Sequence, residues 1–474
     1  MIKPLFSLDF RGAAVITDGG RTVDYSELKR LSGEWAAKVP SRSLVFLLVG
    51  NNLDSLVAYV ACLNHGIVPL MLDAHIDGQL LQRFQETYRP DFIWRPGESG
   101  YVLEPLNTRN VNTVKGADKL SCNSCVSLSK EDRLHPDLAL LLTTSGSTGS
   151  PKLVRQSYAN IKANTASIVE YLKLDASERP ITTLPMNYTY GLSIINSHLA
   201  AGATILLTDK SIMQREFWDF FAVQCATSFG GVPYTYEMLD KLMFFRRKLP
   251  SLRTMTQAGG KILPALHRKF AEYAQREGKN FVVMYGQCEA TARMSYLPPE
   301  RALDKVGSMG VAIPGGRFSL IDVNGKEIVE PEVTGELVYE GANVTLGYAE
   351  CVDDLSKGDE RQGRLVTGDM AKCDADGFYY VVGRKKRFLK IFGNRVNLDE
   401  TERLIKDRFP GMDCACGGVD DKMKIFVAEG GREKEIQDFV SEKTHLNFTA
   451  FDVVPINSIP KNASGKTLYS ELPQ

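Results

Sequence analysis

The sequence predicts an α/β and α+β protein: a large N-terminal domain of parallel and mixed sheets with helices plus a small β-rich subdomain, then a small α+β C-terminal domain. Three observations carry this expectation. Short apolar runs alternate with helix-spaced segments over much of the chain, hairpin-like strands begin near Gly335, and a basic run from Gly383 to Arg387 precedes a last segment of its own character.

The first unit is clear. "SLVFLLVG" (Ser43 to Gly50) is a buried-strand run, "LDSLVAYVACLNHG" (Leu53 to Gly66) has helical spacing, and "IVPLMLD" (Ile67 to Asp73) is a second strand, together a βαβ unit. The alternation returns in "ATILLTD" (Ala203 to Asp209), a helix over Ser211 to Gln224, a strand over Ala226 to Pro233 and another around Phe281 to Gln287. Such repetition argues for parallel sheets that bind ligands at the carboxyl ends of their strands. From Gly335 the texture becomes "GELVYEG" and "GRLVTGDMAKCDADGFYYVVGR", with Asp374 to Gly377 as the turn between two strands. The basic run sets the domain boundary, giving residues 1–384 and 385–474. There is no internal repeat, and the longest irregular piece is expected between Arg95 and Asp132.

A chain of 474 residues with 43% hydrophobic content can bury more than one core. Lys plus Arg equals Asp plus Glu at 57 each, so no global field favours nucleic acid or an anionic membrane, and a small-molecule partner is expected. The apolar start "MIKPLFSLDFRGAAV" is broken by Asp9 and Arg11, unlike a signal-peptide core, and no apolar run reaches the roughly 18 residues of a membrane helix. The expected location is the cytoplasm, which suits nine cysteines without framework spacing. Cys122 with Cys125 and Cys414 with Cys416 are read as core or surface thiols, not metal ligands.

One stretch stands apart. In "LLTTSGSTGSPKLV" (Leu141 to Val154) a strand runs into a loop where glycines free the backbone to turn several N–H groups inward, hydroxyls add donors and Lys152 adds charge. This is an anion-binding nest. It is not the common P-loop, because Ser150 and Pro151 separate Gly149 from Lys152.

"TTSGSTGSPK" resembles the phosphate-binding signature of the adenylate-forming, AMP-binding superfamily of acyl-CoA synthetases, luciferase and peptide-synthetase adenylation domains. Further stretches fall in that family's order: "VDYSELKRLSGEWA" as its first helix, "YGQCEAT" (Tyr285 to Thr291), "TGD" (Thr367 to Asp369), the hinge "GRKKRFLKIFGNRVN" (Gly383 to Asn397) and the lysine loop "PKNASGK" (Pro460 to Lys466). The look is nearest to acyl-CoA synthetases. The resemblance implies that Thr144, Ser145, Gly146, Ser147, Thr148, Gly149 and Lys152 hold ATP phosphates and that Glu289 takes Mg²⁺. It implies that Gly259, Gly260, Tyr285 and Gly286 receive adenine, and that Asp369 with Arg384 holds the ribose. Lys466 would be the catalytic lysine on a mobile C-terminal lid, offsetting the repulsion between an attacking carboxylate and the α-phosphate, and Lys386 would be the hinge.

Cys288 replaces the threonine usual before the acidic residue, Tyr188 stands where acyl-CoA synthetases carry a histidine, and Thr189 stands where amino-acid-activating members place an aspartate. Asn187, Tyr188, Tyr190, Tyr234, Gln257, Met284 and Arg293 are the candidate acid pocket, suited to a small or polar acid. The expected activity is ATP-dependent ligation of a carboxylic acid to the thiol of coenzyme A or a phosphopantetheine carrier through an acyl-adenylate. Two alternatives remain: an amino-acid-activating enzyme that loads a carrier protein, and a non-catalytic nucleotide-binding regulator.

Overall fold

The computed structural model describes residues 4–98, 100–106, 133–143, 152–385, 387–392, 394–428, 430–461 and 467–473. The predicted βαβ unit is present. Strand Leu44–Val49 is buried along its whole length because it lies inside a seven-stranded sheet, and parallel neighbours Val68–Asp73 and Phe92–Gly97 flank it. The intervening helix Leu53–His65 starts where the Asn52 side chain accepts from the Ser55 amide at 2.9 Å, and it stops at Gly66, whose φ of +74° suits a residue without Cβ. Strand Leu138–Thr143 lies parallel to Val68–Asp73 in the same sheet, and Leu153–Ser157 returns antiparallel beside it.

A second sheet places Ser228–Gly231, Thr254–Gln257 and Asn280–Tyr285 side by side and parallel, with Gly231 opposite Gln257 and Gln257 opposite Val283. Their carboxyl ends therefore open on one side. A third, antiparallel sheet carries Gly316–Ile321, Gly335–Gly341, Arg364–Cys373 and Tyr379–Arg384. The expected Asp374 to Gly377 turn closes its last hairpin, with the Asp374 amide donating to the Phe378 carbonyl at 2.9 Å.

Beyond Lys385 a separate apolar cluster forms among Leu389, Ile405, Phe409, Ile425, Val440 and Phe451. It joins helices Leu398–Arg408 and Glu433–Thr444 to the sheet Cys414–Val419, Lys422–Val427 and Phe451–Pro455, in line with the α+β expectation. Cys414 and Cys416 sit inside this core, and burial pushes the Cys414 thiol up to about 12. Cys122 and Cys125 lie outside the described residues.

The irregular segment expected between Arg95 and Asp132 is corrected at its start, and residues 107–132 lie outside the described residues. Phe92–Gly97 and Gly100–Pro105 form an antiparallel hairpin at the sheet edge. Pro96 is tolerated because the inner neighbour, Leu44–Val49, pairs only as far as Trp94, and the Trp94 and Tyr101 rings stack 5.5 Å apart. Among the described residues no helix is long and apolar enough to cross a membrane.

One fully buried guanidinium straps strand Gly347–Ala349 and the loop after it to the edge of the seven-stranded sheet, where that strand pairs antiparallel with Leu153–Ser157. Arg155, with a 0% exposed side chain, donates to the carbonyls of Tyr348 at 3.0 Å, Leu346 at 3.2 Å, Gly358 at 3.2 Å and Lys357, and pairs with Glu360 at 2.5 Å. Arg155→Met should remove these side-chain donors together with the partner of Glu360 and cost about 3 kcal/mol. The expected readout is a melting temperature several degrees lower by scanning calorimetry; an unchanged transition would deny the strap its role.

Candidate functional site

Tyr285 is the last residue of its strand, and its hydroxyl donates to Asp369 Oδ2 at 2.5 Å. The Gln287 side chain donates to the same oxygen at 2.7 Å, to the Tyr285 hydroxyl at 3.0 Å and to the Thr367 carbonyl at 3.2 Å. Asp369 faces Arg384 in the strand register, with the arginine Nε 3.6 Å from Oδ1. The Asp369 side chain is 8% exposed. Burial raises its pKa above the ordinary aspartate value, against the opposing pull of Tyr285, Arg384 and Gln287, and burial together with Asp369 raises that of Tyr285. Gly286 is required here: a Cβ on it would lie 1.7 Å from the Ala292 carbonyl oxygen.

A second cluster surrounds Glu289. Its Oε1 accepts from the Tyr348 hydroxyl at 2.6 Å, and its backbone carbonyl accepts from the Thr345 amide at 3.0 Å and from Arg361 Nη1 at 3.0 Å. The Tyr348 ring also receives two cations, with Lys152 Nζ 3.8 Å and Arg361 Cζ 4.5 Å from its centroid, and Lys152 pairs with Glu350 at 3.2 Å. Thr291 then turns the chain at φ +66°, ψ −56°, a rare conformation for a residue with a branched side chain. Three contacts hold it: its hydroxyl donates to the Asn343 carbonyl at 2.7 Å, and its carbonyl accepts from the Thr189 hydroxyl and from Gln156 Nε2 at 3.3 Å.

The candidate acid pocket is layered. Gly259 adopts φ +82°, and a Cβ there would meet the Tyr188 hydroxyl at 2.5 Å, so this glycine makes room for Tyr188. The Tyr188 and Tyr190 rings are 6.3 Å apart, and the Tyr190 hydroxyl shares a hydrogen with Thr256 Oγ1 at 2.7 Å. Arg293 lies behind Tyr190, its Cζ 5.2 Å from that ring, and Met284 Sδ accepts from Tyr171 at 3.2 Å. Gln257 is fully buried and donates to the carbonyls of Ala258 at 3.2 Å and Gly260 at 2.9 Å, which shapes the loop over the pocket. Two buried acceptors, Asn187 Oδ1 and Gln257 Oε1, have no partner among the described residues.

The structure thus brings together Tyr285, Gly286, Asp369 and Arg384; Lys152 and Glu289; and Tyr188, Tyr190, Met284 and Arg293. It leaves Tyr234 apart, 41% exposed with Lys461 Nζ 5.6 Å from its ring. Thr144, Ser145, Gly146, Ser147, Thr148, Gly149, Lys386 and Lys466 lie outside the described residues. Sequence reasoning missed Gln287, Tyr348 and Arg361. Gln287 sits within the quoted "YGQCEAT", so its place in the motif could have marked it, whereas Tyr348 and Arg361 carry no motif or periodicity.

Residues 9–349 match the family model described as AMP-binding enzyme. The chain is 26% identical over 437 residues to a 2-succinylbenzoate–CoA ligase of Bacillus licheniformis, covering 90% of this chain and 88% of the relative. It is 31% identical over 359 residues to the peroxisomal OPC-8:0-CoA ligase 1 of Arabidopsis thaliana, covering 71% and 64%, and 30% identical over 421 residues to an indoleacetate–CoA ligase of Aromatoleum aromaticum, covering 83% and 80%. Among solved structures, o-succinylbenzoate coenzyme A synthetase from Bacillus subtilis bound to AMP superposes with a TM-score of 0.78 at 22% identity, over 98% of this chain and 95% of that one. The same synthetase with ATP and magnesium gives 0.78 at 21% identity, over 98% and 96%.

A carboxyl group whose folded-state pKa is raised stabilises the fold while protonated and loses that advantage as pH rises from the unfolded aspartate value through the folded one. Asp369→Asn should therefore melt at a higher temperature than the wild-type protein at pH 7, with the gap closing as pH falls toward the ordinary aspartate range of about 4. Differential scanning fluorimetry across pH checks this, and an Asn variant that is less stable at neutral pH would refute it.

Proposed function

The chain belongs to the AMP-binding enzyme family and is an ATP-dependent, AMP-forming acid–thiol ligase that uses Mg²⁺ and coenzyme A, and we propose which of its residues run the two half-reactions. A carboxylic acid attacks the α-phosphate of ATP to give acyl-adenylate and pyrophosphate, and a thiol then takes the acyl group and releases AMP.

The observation that carries the assignment is the buried Asp369 carboxylate, held by Tyr285 and Gln287 at the open end of a parallel sheet with Arg384 beside it. A desolvated acceptor at this position suits a diol, so Asp369 receives the ribose hydroxyls and Tyr285 flanks the adenine. Glu289 is the metal-binding carboxylate. Tyr348 occupies only its Oε1, no described residue bonds Oε2, and one carboxylate suffices for an ion that keeps several waters and takes its other ligands from substrate phosphates. Bound there, Mg²⁺ supplies charge neutralisation at the phosphates. Lys152 and the Thr144–Gly149 loop bind those phosphates, Lys466 offsets the negative charge as the carboxylate attacks the α-phosphorus and pyrophosphate leaves, and Lys386 is the pivot between residues 1–384 and 385–474. Cys288 removes one hydroxyl from the phosphate side.

The acid sits between Tyr188, Tyr190, Gln257, Met284 and Arg293, with Asn187 next to Tyr188 in the chain, and Tyr234 drops out of the set. Thr189 spends its hydroxyl on the Thr291 carbonyl and offers an α-ammonium group no anion, which disfavours an amino acid. We place the enzyme in the cytoplasm. Pyrophosphate release that depends on an added acid, measured with coenzyme A and with a phosphopantetheine carrier, tests the activity and its acceptor together; phosphate release would mark an NTPase, and neither product a binder.

Tyr348→Phe frees the Glu289 side chain, so it should raise the Mg²⁺ concentration for half-maximal adenylation by roughly tenfold with little change at saturating Mg²⁺. A magnesium titration reads this, and an unaltered midpoint would detach Tyr348 from the metal.

With Lys466 at the α-phosphate for adenylation its loop would block the thiol's path, and on this proposal the C-terminal domain turns between steps. Lys466→Ala should make almost no acyl-adenylate yet still convert supplied acyl-adenylate to thioester, and Lys386→Pro should do the opposite. Equal loss of both steps in a folded Lys466→Ala protein would end this two-state scheme.

A further inference from the structure

Arg293 is 3% exposed, and no carboxylate among the described residues pairs with it. Other deeply placed arginines differ: Arg155 pairs with Glu360, and Arg387 with Asp399 and Glu402. Arg293 instead has neutral company. Its Nε donates to Ser193 Oγ at 3.1 Å, and its Nη1 to the Tyr171 hydroxyl at 3.1 Å and to Met284 Sδ at 3.5 Å.

A small cavity beside the guanidinium is lined by Arg293, Ile194, Gly230, Thr256, His198 and Glu178. The glutamate is already committed, to Arg253 Nη1 at 3.3 Å and to the Thr227 hydroxyl. His198 contributes no charge near neutrality, because burial lowers its pKa to about 4 while its Nδ1 lies 2.8 Å from the Ile194 carbonyl. The result is a buried cation beside the Tyr190 ring that no described carboxylate pairs. Such a charge is costly to keep and is expected where a ligand completes the pair.

We infer that the acid substrate brings that counter-ion: it carries a second anionic group at its far end, as an α,ω-dicarboxylate does, and Arg293 receives that group while the other carboxylate is adenylated. This rests on the ligase reading and on the acid pocket proposed above. The same cation repels an α-ammonium group, in accord with Thr189 in place of an aspartate.

The test is ATP–pyrophosphate exchange with the unbranched dicarboxylates from malonate to suberate, each beside its monomethyl ester, which matches its length and lacks the second charge. The wild-type enzyme should favour at least one diacid over its half ester by about tenfold or more in kcat/KM. Arg293→Met should abolish that preference with the ATP KM unchanged. Because it removes an unpaired buried charge, this variant should melt no lower than the wild type. Arg293→Lys should retain part of the preference. Half esters that serve as well as diacids, or an Arg293→Met protein that loses both series alike, would overturn the inference and leave the ligase standing. Exchange with neither series in the wild type would count against both.

Discussion

The bond from the Tyr285 hydroxyl to the Asp369 carboxylate is the constraint on which the site is built. Tyr285 ends a strand of the parallel sheet, and Asp369 lies within the antiparallel sheet, so this contact fixes two separately formed layers against each other. Gln287 reinforces it by bridging the tyrosine hydroxyl, the carboxylate and the Thr367 carbonyl. The arrangement sets a buried acceptor at the mouth of the sheet, where burial alone would drive the carboxyl toward its neutral form. The acceptor is thus already stripped of water, at a local cost in stability.

Much of the fold was legible because buried parallel strands are read as unbroken apolar runs. Leu44–Val49 and Leu138–Thr143 are such cases, and neither could be exposed without losing its character. The edge hairpin at Phe92–Pro105 was not legible. Its Pro96 and Gly97 are loop residues by local rule, and only the position at a sheet edge makes them acceptable in a strand. At the site, Tyr285, Glu289 and Asp369 were visible because each lies in a short motif. Tyr348 and Arg361 were invisible because they reach Glu289 from 59 and 72 residues away, and no pattern along the chain records such a meeting. Gly259 shows a further limit: its freedom was assigned to an approaching ligand, and the structure places the Tyr188 hydroxyl above it.

The two buried charges of the site are handled differently. Asp369 has a tyrosine hydroxyl, an amide and a nearby guanidinium, whereas Arg293 has only neutral acceptors. Under the proposed assignment, the adenosine end is prepared before ligand arrives and the acid end is left electrostatically incomplete.

The turn at Thr291 has a consequence for how the enzyme ages. Its uncommon backbone persists only while helix Thr189–Ala200, strand Leu153–Ser157 and the loop at Asn343 all press on it at once. It can form only after those three have docked, and it is released when any one of them loosens. Glu289 lies two residues before it. Under gentle heat or mild denaturant, catalytic competence should then vanish ahead of the bulk transition, and its recovery should lag behind the return of secondary structure.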